Sequence, residues 1–182
     1  MQSPESHPIE FPKVVLVTCA TGLVGTALVQ RISHKHPATT IRILSRFGDQ
    51  VNQIGGVAVE GYNWNPQAGS LDTGVVEGVQ CIVHLAGETV AQRWSAPIKR
   101  RIRTSRIDSL GLLQKACMDR NVAPRLVSAS AIGWYPSSLE IQSETDPLGT
   151  GFVSEVVRDW EAAAADFGEL GGGHVSLRIG LV

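Results

Sequence analysis

The residues best suited to chemistry begin with an eight-residue stretch, Thr18-Cys19-Ala20-Thr21-Gly22-Leu23-Val24-Gly25, set between a β-branched run and a helical pattern. Glycines in such a turn let backbone approach a pyrophosphate and let a helix pack closely on a strand. Gly22 can admit phosphates to the N–H groups at the helix start, where the partial positive charge favours them, and Gly25 can let the helix settle on the sheet. Thr18, Thr21, Leu23 and Val24 complete the candidate dinucleotide-contacting set. Cys19 stands where the fingerprint calls for its first glycine, and a β-carbon in the left-handed conformation costs about 1–2 kcal/mol. The plain alternative is a strand-to-helix connection with two packing glycines.

A second signal is Leu44-Ser45-Arg46, at the end of another apolar run. An acidic residue there would accept from the ribose 2′-hydroxyl of NAD, whereas an arginine can pair with the 2′-phosphate of NADP. Ser45 and Arg46 therefore point to NADP(H), against the plainer reading of an exposed arginine at a strand end. Glu88 is a candidate acid/base or ligand contact, or the start of the following helix. Lys99, Arg103 and Arg106 share a helix face at i, i+4 and i+7; a solvated basic face is expected, with contact to an anionic substrate as the alternative. His34, His36, His84 and His174 are scattered and make no metal constellation.

The elements that must carry these residues alternate strand and helix, the pattern of βαβ units around a parallel sheet. Strands are predicted over residues 13–18, 41–45, 57–64, 81–86, 125–130 and 174–179. Helices are predicted over 22–36 (Val24, Ala27, Leu28 and Ile32 on one face), 96–120 and 152–167, and residues 48–56 read as loop. The helix over 152–167 puts Val153, Val156, Val157, Trp160, Ala164 and Phe167 on one stripe. The expectation is an α/β fold, a Rossmann-type doubly wound parallel sheet over 13–182, preceded by a flexible leader over 1–12. Ligands of such a sheet sit at the carboxyl ends of the strands. The chain stops just past the last strand, which reads as truncation before a substrate-binding portion.

Composition narrows the function classes. The 182 residues are 43% hydrophobic with a formal net charge of −1, enough for one globular domain and no electrostatic case for nucleic acid. Three cysteines (Cys19, Cys81, Cys117) lack metal-ligand spacing, so neither a disulfide framework nor a zinc site is expected, and a reducing, cytoplasmic setting fits. The most apolar stretch, 14–29, is too short and interrupted to span a membrane.

Several stretches together resemble the atypical short-chain dehydrogenase/reductases grouped as epimerase family proteins, in the NAD-dependent epimerase/dehydratase superfamily, themselves similar to extended sugar-nucleotide epimerases. They are TCATGLVG at the turn, LSR after the second strand, HLAGETVAQRW from His84, SASAIGWY from Ser128, VVRDWEAAA from Val156 and LRIGLV at the end. The resemblance implies that Leu85, Ala86 and Gly87 lie against the cofactor, and that Ser130 matches an active-site serine, with Tyr135 as a candidate proton donor five residues on. Cys19 and Pro136 replace typical glycines. By register with Trp160-Glu161, the acid/base tyrosine and its lysine fall on Val153 and Val157, so the Tyr-x-x-x-Lys pair is missing. Two readings follow: an NADP-dependent oxidoreductase or epimerase acting on a small molecule, or a dinucleotide-binding regulatory or sensor protein without turnover.

Overall fold

The computed structural model describes residues 10–180, so residues 1–9 of the expected leader lie outside the described residues. In chain order the elements are β1 (Val14–Thr18), α1 (Leu23–Lys35), β2 (Thr40–Ser45), β3 (Gln53–Ile54), β4 (Val57–Ala58), β5 (Glu60–Asn65), β6 (Ser70–Leu71), β7 (Cys81–His84), α2 (Ala96–Asp119), β8 (Arg125–Ala131), α3 (Phe152–Gly168) and β9 (His174–Ile179). One seven-stranded sheet runs in the order β6-β5-β2-β1-β7-β8-β9. Every pairing in it is parallel except the short antiparallel β5–β6 edge. Without β6, the order is that of a Rossmann fold, with the winding reversing between β1 and β7, where a crevice opens beyond the strand ends.

Central strands in such a sheet are buried on both faces, which is why β1 reads as unbroken hydrophobic sequence. Leu16 faces one way, into a core with Leu110 and Leu113 of α2 and Trp160, Ala164 and Phe167 of α3. Val15 and Val17 face the other way, onto Val29 and Ile32 of α1. The buried line of α1 is Gly25, Val29 and Ile32, with Leu28 partly covered. Ala27, expected on that face, is exposed: the helix is turned so that Gly25, with no side chain, makes the closest approach to the sheet. The expected loop over 48–56 contains β3, and the single strand expected over 57–64 is two, β4 and β5. Gly55 and Gly56 at φ 55° and 83° close a tight β3–β4 hairpin that packs on α1, where Gln30 Nε2 donates to the Gly55 carbonyl at 3.0 Å.

Candidate functional site

The β1–α1 turn carries a backbone conformation that few residues tolerate. Cys19 adopts φ 54°, the left-handed value expected for the missing glycine. The amide of Gly22 donates to the Cys19 carbonyl at 3.1 Å, closing a tight loop that leads directly into α1. Gly25 cannot carry a side chain, because a Cβ there would lie 2.4 Å from the Cys19 carbonyl oxygen and 2.6 Å from the Ala20 Cα. The N-terminus of α1 has no side-chain cap and no acidic residue in its first turn, so its leading N–H groups remain available to an anion. Thr21 and Leu23 are exposed around this end and Val24 is half-buried. Ser45 is half-buried and Arg46 exposed, one strand away at the carboxyl end of β2.

Thr18 reaches the crevice through the backbone it holds rather than by its own side chain, which is fully buried. Its hydroxyl oxygen accepts from the amides of Leu85 (2.9 Å) and Ala86 (3.1 Å). With those two donors on the oxygen, the hydroxyl proton goes to His84 Nδ1 at 3.2 Å. That fixes the tautomer: Nε2 carries the ring proton and donates to Ser109 Oγ at 3.0 Å, which in turn donates to the Arg106 carbonyl. Burial, reinforced by the nearby Arg106 charge, pushes the His84 pKa down to about 3. A neutral imidazole thus ties the end of β1, the Leu85-Ala86-Gly87 turn and α2 together. The sequence pattern marked His84 only as scattered; its lone placement on an apolar strand was the available signal.

Ser130 and Tyr135 are brought to one cluster by two residues the sequence reading did not single out. The Ser130 hydroxyl donates to Glu161 of α3 at 2.5 Å. Glu161 also receives both Nε and Nη2 of Arg178, from β9, at 2.8 and 2.9 Å. Arg178 Nη1 donates to the Tyr135 phenol oxygen at 3.0 Å, and the guanidinium lies 4.0 Å from the Trp134 ring centroid. Burial raises the Glu161 pKa, but hydrogen bonds from Arg178 and Ser130 outweigh it and hold the carboxyl below its usual range. An arginine only donates and a carboxylate only accepts. Ser130 therefore faces any ligand as an acceptor, and Tyr135 keeps its own proton to donate. Tyr135 lines a cleft of about 660 Å³ with Ile132, Pro136 and Val153.

Val153 and Val157 both lie on α3. Val157 is buried, and Val153 packs so closely on Gly133 that a Cβ there would lie 2.4 Å from Val153 Cγ1. The basic face of α2 is solvated only in part, since it also meets α3, with Arg103 exposed and Lys99 and Arg106 half-buried. Lys99 sits over the Phe152 ring, Arg103 pairs with Asp159, and Arg106 lies over the Trp160 ring. Periodicity put the three on one face but carried no information on what that face meets. Glu88 does not begin a helix, since α2 starts eight residues later; its amide donates to Ser105 Oγ at 2.9 Å.

With this geometry the known proteins can be compared. A model of the NAD dependent epimerase/dehydratase family matches residues 15–153. The chain belongs to that family. An epimerase family protein of Mycobacterium bovis is 33% identical over 171 residues, covering 93% of this chain and 54% of the relative. This member therefore spans about half the length of the curated relatives it matches. Among solved structures, a nucleoside-diphosphate sugar epimerase from Corynebacterium glutamicum is similar at 28% identity and TM-score 0.71, over 92% of this chain and 34% of that one. A UDP-glucuronic acid 4-epimerase from Bacillus cereus, solved with NAD, shares the fold at 16% identity and TM-score 0.70, over 92% of this chain and 56% of that one. Among the described residues no helix is long and apolar enough to cross a membrane, and no group of His, Cys, Asp or Glu is arranged to hold a metal ion.

Proposed function

We propose that this family member binds a nicotinamide dinucleotide across the carboxyl ends of β2, β1 and β7, as the cofactor-binding half of an oxidoreductase or epimerase acting on a hydroxyl or carbonyl group of a small molecule. The observation that carries the reading is the uncapped N-terminus of α1, pressed onto the sheet at Gly25 and facing the crevice. A bound dinucleotide would supply hydride transfer. The chain's own residues do the rest: α1 amides hold the pyrophosphate, Leu85, Ala86 and Gly87 support the far ribose, and Thr18 with His84 keeps that turn rigid. At the β8 end, Ser130 would accept from a substrate hydroxyl, while Tyr135 would donate to a substrate oxygen.

The finer proposal is a preference for NADP(H). Arg46 is exposed at the end of β2 and makes no hydrogen bond or ion pair with its side chain among the described residues, so it is free for a 2′-phosphate. A charge-assisted contact of this kind contributes about 1.5–3 kcal/mol, roughly ten- to hundredfold in affinity. Titration should find NADPH tighter than NADH by that factor, and Arg46→Ala should erase the gap with NADH binding nearly unchanged. Equal affinities in the parent chain would remove the assignment. Cys19→Gly should tighten NADPH severalfold, since it relieves the left-handed β-carbon and clears a thiol from the turn. A glycine variant that binds no better would show the thiol to be harmless there.

A second reading, a dinucleotide sensor without turnover, is supported by Val153 and Val157, which are packed hydrocarbon where the register with Trp160-Glu161 would put the conventional tyrosine and lysine. Single-turnover assays following NADPH absorbance with model carbonyls separate the two. Oxidation abolished by Tyr135→Phe supports catalysis at the β8 cluster; tight NADPH binding with no oxidation in the full chain supports the sensor.

A further inference from the structure

Three arginines of the described chain are half-buried: Arg42, Arg106 and Arg178. Arg42 is paired with Glu60 and Arg178 with Glu161. Among the described residues Arg106 has no carboxylate within ion-pairing distance; burial weighs against its charge, and only the more distant Glu88 carboxylate supports it. A guanidinium withdrawn from water without a hydrogen-bonded counter-ion is costly unless something compensates it. Its single acceptor among the described residues is the Ile102 carbonyl in its own helix, which takes Nη1 at 2.7 Å.

Two neighbours approach this guanidinium closely. The Trp160 ring lies on one side, with its centroid 4.9 Å from Cζ. Gly87 lies on another: a Cβ there would come 3.0 Å from Cζ, nearer than the 3.2 Å to Nη2 and 3.4 Å to Nε. The nearest atom being Cζ means that Gly87 stacks on the plane rather than against its edge. The Nε–Nη2 edge is left without a protein acceptor yet not sealed from solvent. That edge is the fork that matches two oxygens of a carboxylate or phosphate. Trp160 itself is 6% exposed, and its indole N–H is buried with no acceptor among the described residues.

We propose that Arg106, held beside Gly87 and Trp160, is an oxyanion-binding residue that takes a phosphate or carboxylate of the ligand in the crevice. The inference rests on the cofactor reading only in placing a ligand there; the unpaired fork stands by itself. The absence of a side chain at Gly87 gains a purpose beyond turn geometry, because any Cβ would press on the guanidinium. The oxyanion could belong to the dinucleotide's diphosphate or to an anionic substrate, and the two sources give different results in one experiment.

The experiment follows the indole and arginine side-chain N–H signals of the ¹⁵N-labelled full chain as inorganic phosphate is added at constant ionic strength, with Trp160→Phe identifying the Trp160 signal among the four tryptophans. The Trp160 signal should move and saturate. Arg106→Met keeps the hydrocarbon stem on the ring and should weaken the response at least tenfold. Gly87→Ala keeps the arginine but crowds it and should weaken the response as well, which guards against a misfolded Arg106 variant. If phosphate still binds with NADPH saturating, the site serves a second, anionic ligand; if NADPH itself moves the signal and displaces phosphate, it serves the diphosphate. A Trp160 signal that ignores both, or responds equally in parent and Arg106→Met, overturns the site. A chain that ignores NADPH but answers phosphate through Arg106 keeps this site and removes the cofactor reading.

Discussion

Glu161→Gln is expected to lower the unfolding free energy by about 2–4 kcal/mol, because it leaves Arg178 half-buried with no counter-charge. The two side chains are only 17% and 16% exposed, so solvent offers little screening. The pair is bidentate: glutamine keeps one acceptor oxygen for Arg178 Nε and Ser130, but turns an NH2 donor against Arg178 Nη2. Removing both charges should be gentler: Glu161→Leu with Arg178→Met trades an ion pair for packed hydrocarbon and should recover most of the loss. Urea midpoints of the parent, Glu161→Leu, Arg178→Met and the double variant measure this directly. If the double variant loses the sum of the two single losses, the pair is not an interacting unit and the cluster around Ser130 and Tyr135 is held by something else. The carboxyl's depressed pKa adds a pH signature. Its stabilising contribution is full above the ordinary glutamate value and is lost as pH falls through the lower folded value.

The alternation of apolar runs and helical stripes was enough to read the sheet, because each strand of a doubly wound fold is buried by its own hydrophobic sequence. The strand over 174–179 and the stripe on α3 agree with the structure. The pair β3 and β4 did not read as strands, since two residues each carry no period and Gly55-Gly56 looks like any loop. Partner choice is where sequence reasoning stopped. Glu161 served as a register mark, but its bond to Arg178 depends on β9 lying beside β8, a tertiary fact. Arg106 looked solvated for the same reason: helical spacing groups side chains onto a face without naming the neighbour. Cys19 is the instructive opposite, because a fingerprint position demanding positive φ was legible from the glycine it displaced.

Acidification should destabilise the chain well above the range in which carboxylates titrate, and His84 is the cause. Its imidazole is fully buried, donates through Nε2 to Ser109, accepts at Nδ1 from Thr18, and has its pKa pushed down to about 3. In the unfolded chain the same ring titrates near 6.5. Between these two values the unfolded state holds a proton that the folded state refuses, so stability rises with pH across the window and falls as the solution is made acidic. The slope approaches about 1.4 kcal/mol per pH unit below 6, or roughly 2–3 kcal/mol lost by pH 4.5. Glu161, with its pKa below the usual range, contributes its own loss only further down. His84→Asn removes the titrating ring; it should cost about 1–3 kcal/mol at pH 7 through the broken bracket, yet flatten the dependence between pH 6.5 and 4.5. The loss should be felt at the Leu85-Ala86 turn, whose amides are held by the hydroxyl that His84 orients. Amide exchange at those two residues should therefore quicken more than at the end of β2. Urea midpoints across the pH series supply the decisive comparison: a parent chain with no slope between pH 6.5 and 4.5, or a variant with the parent's slope, would show that the ring is not the titrating group and that the bracket takes the proton without breaking.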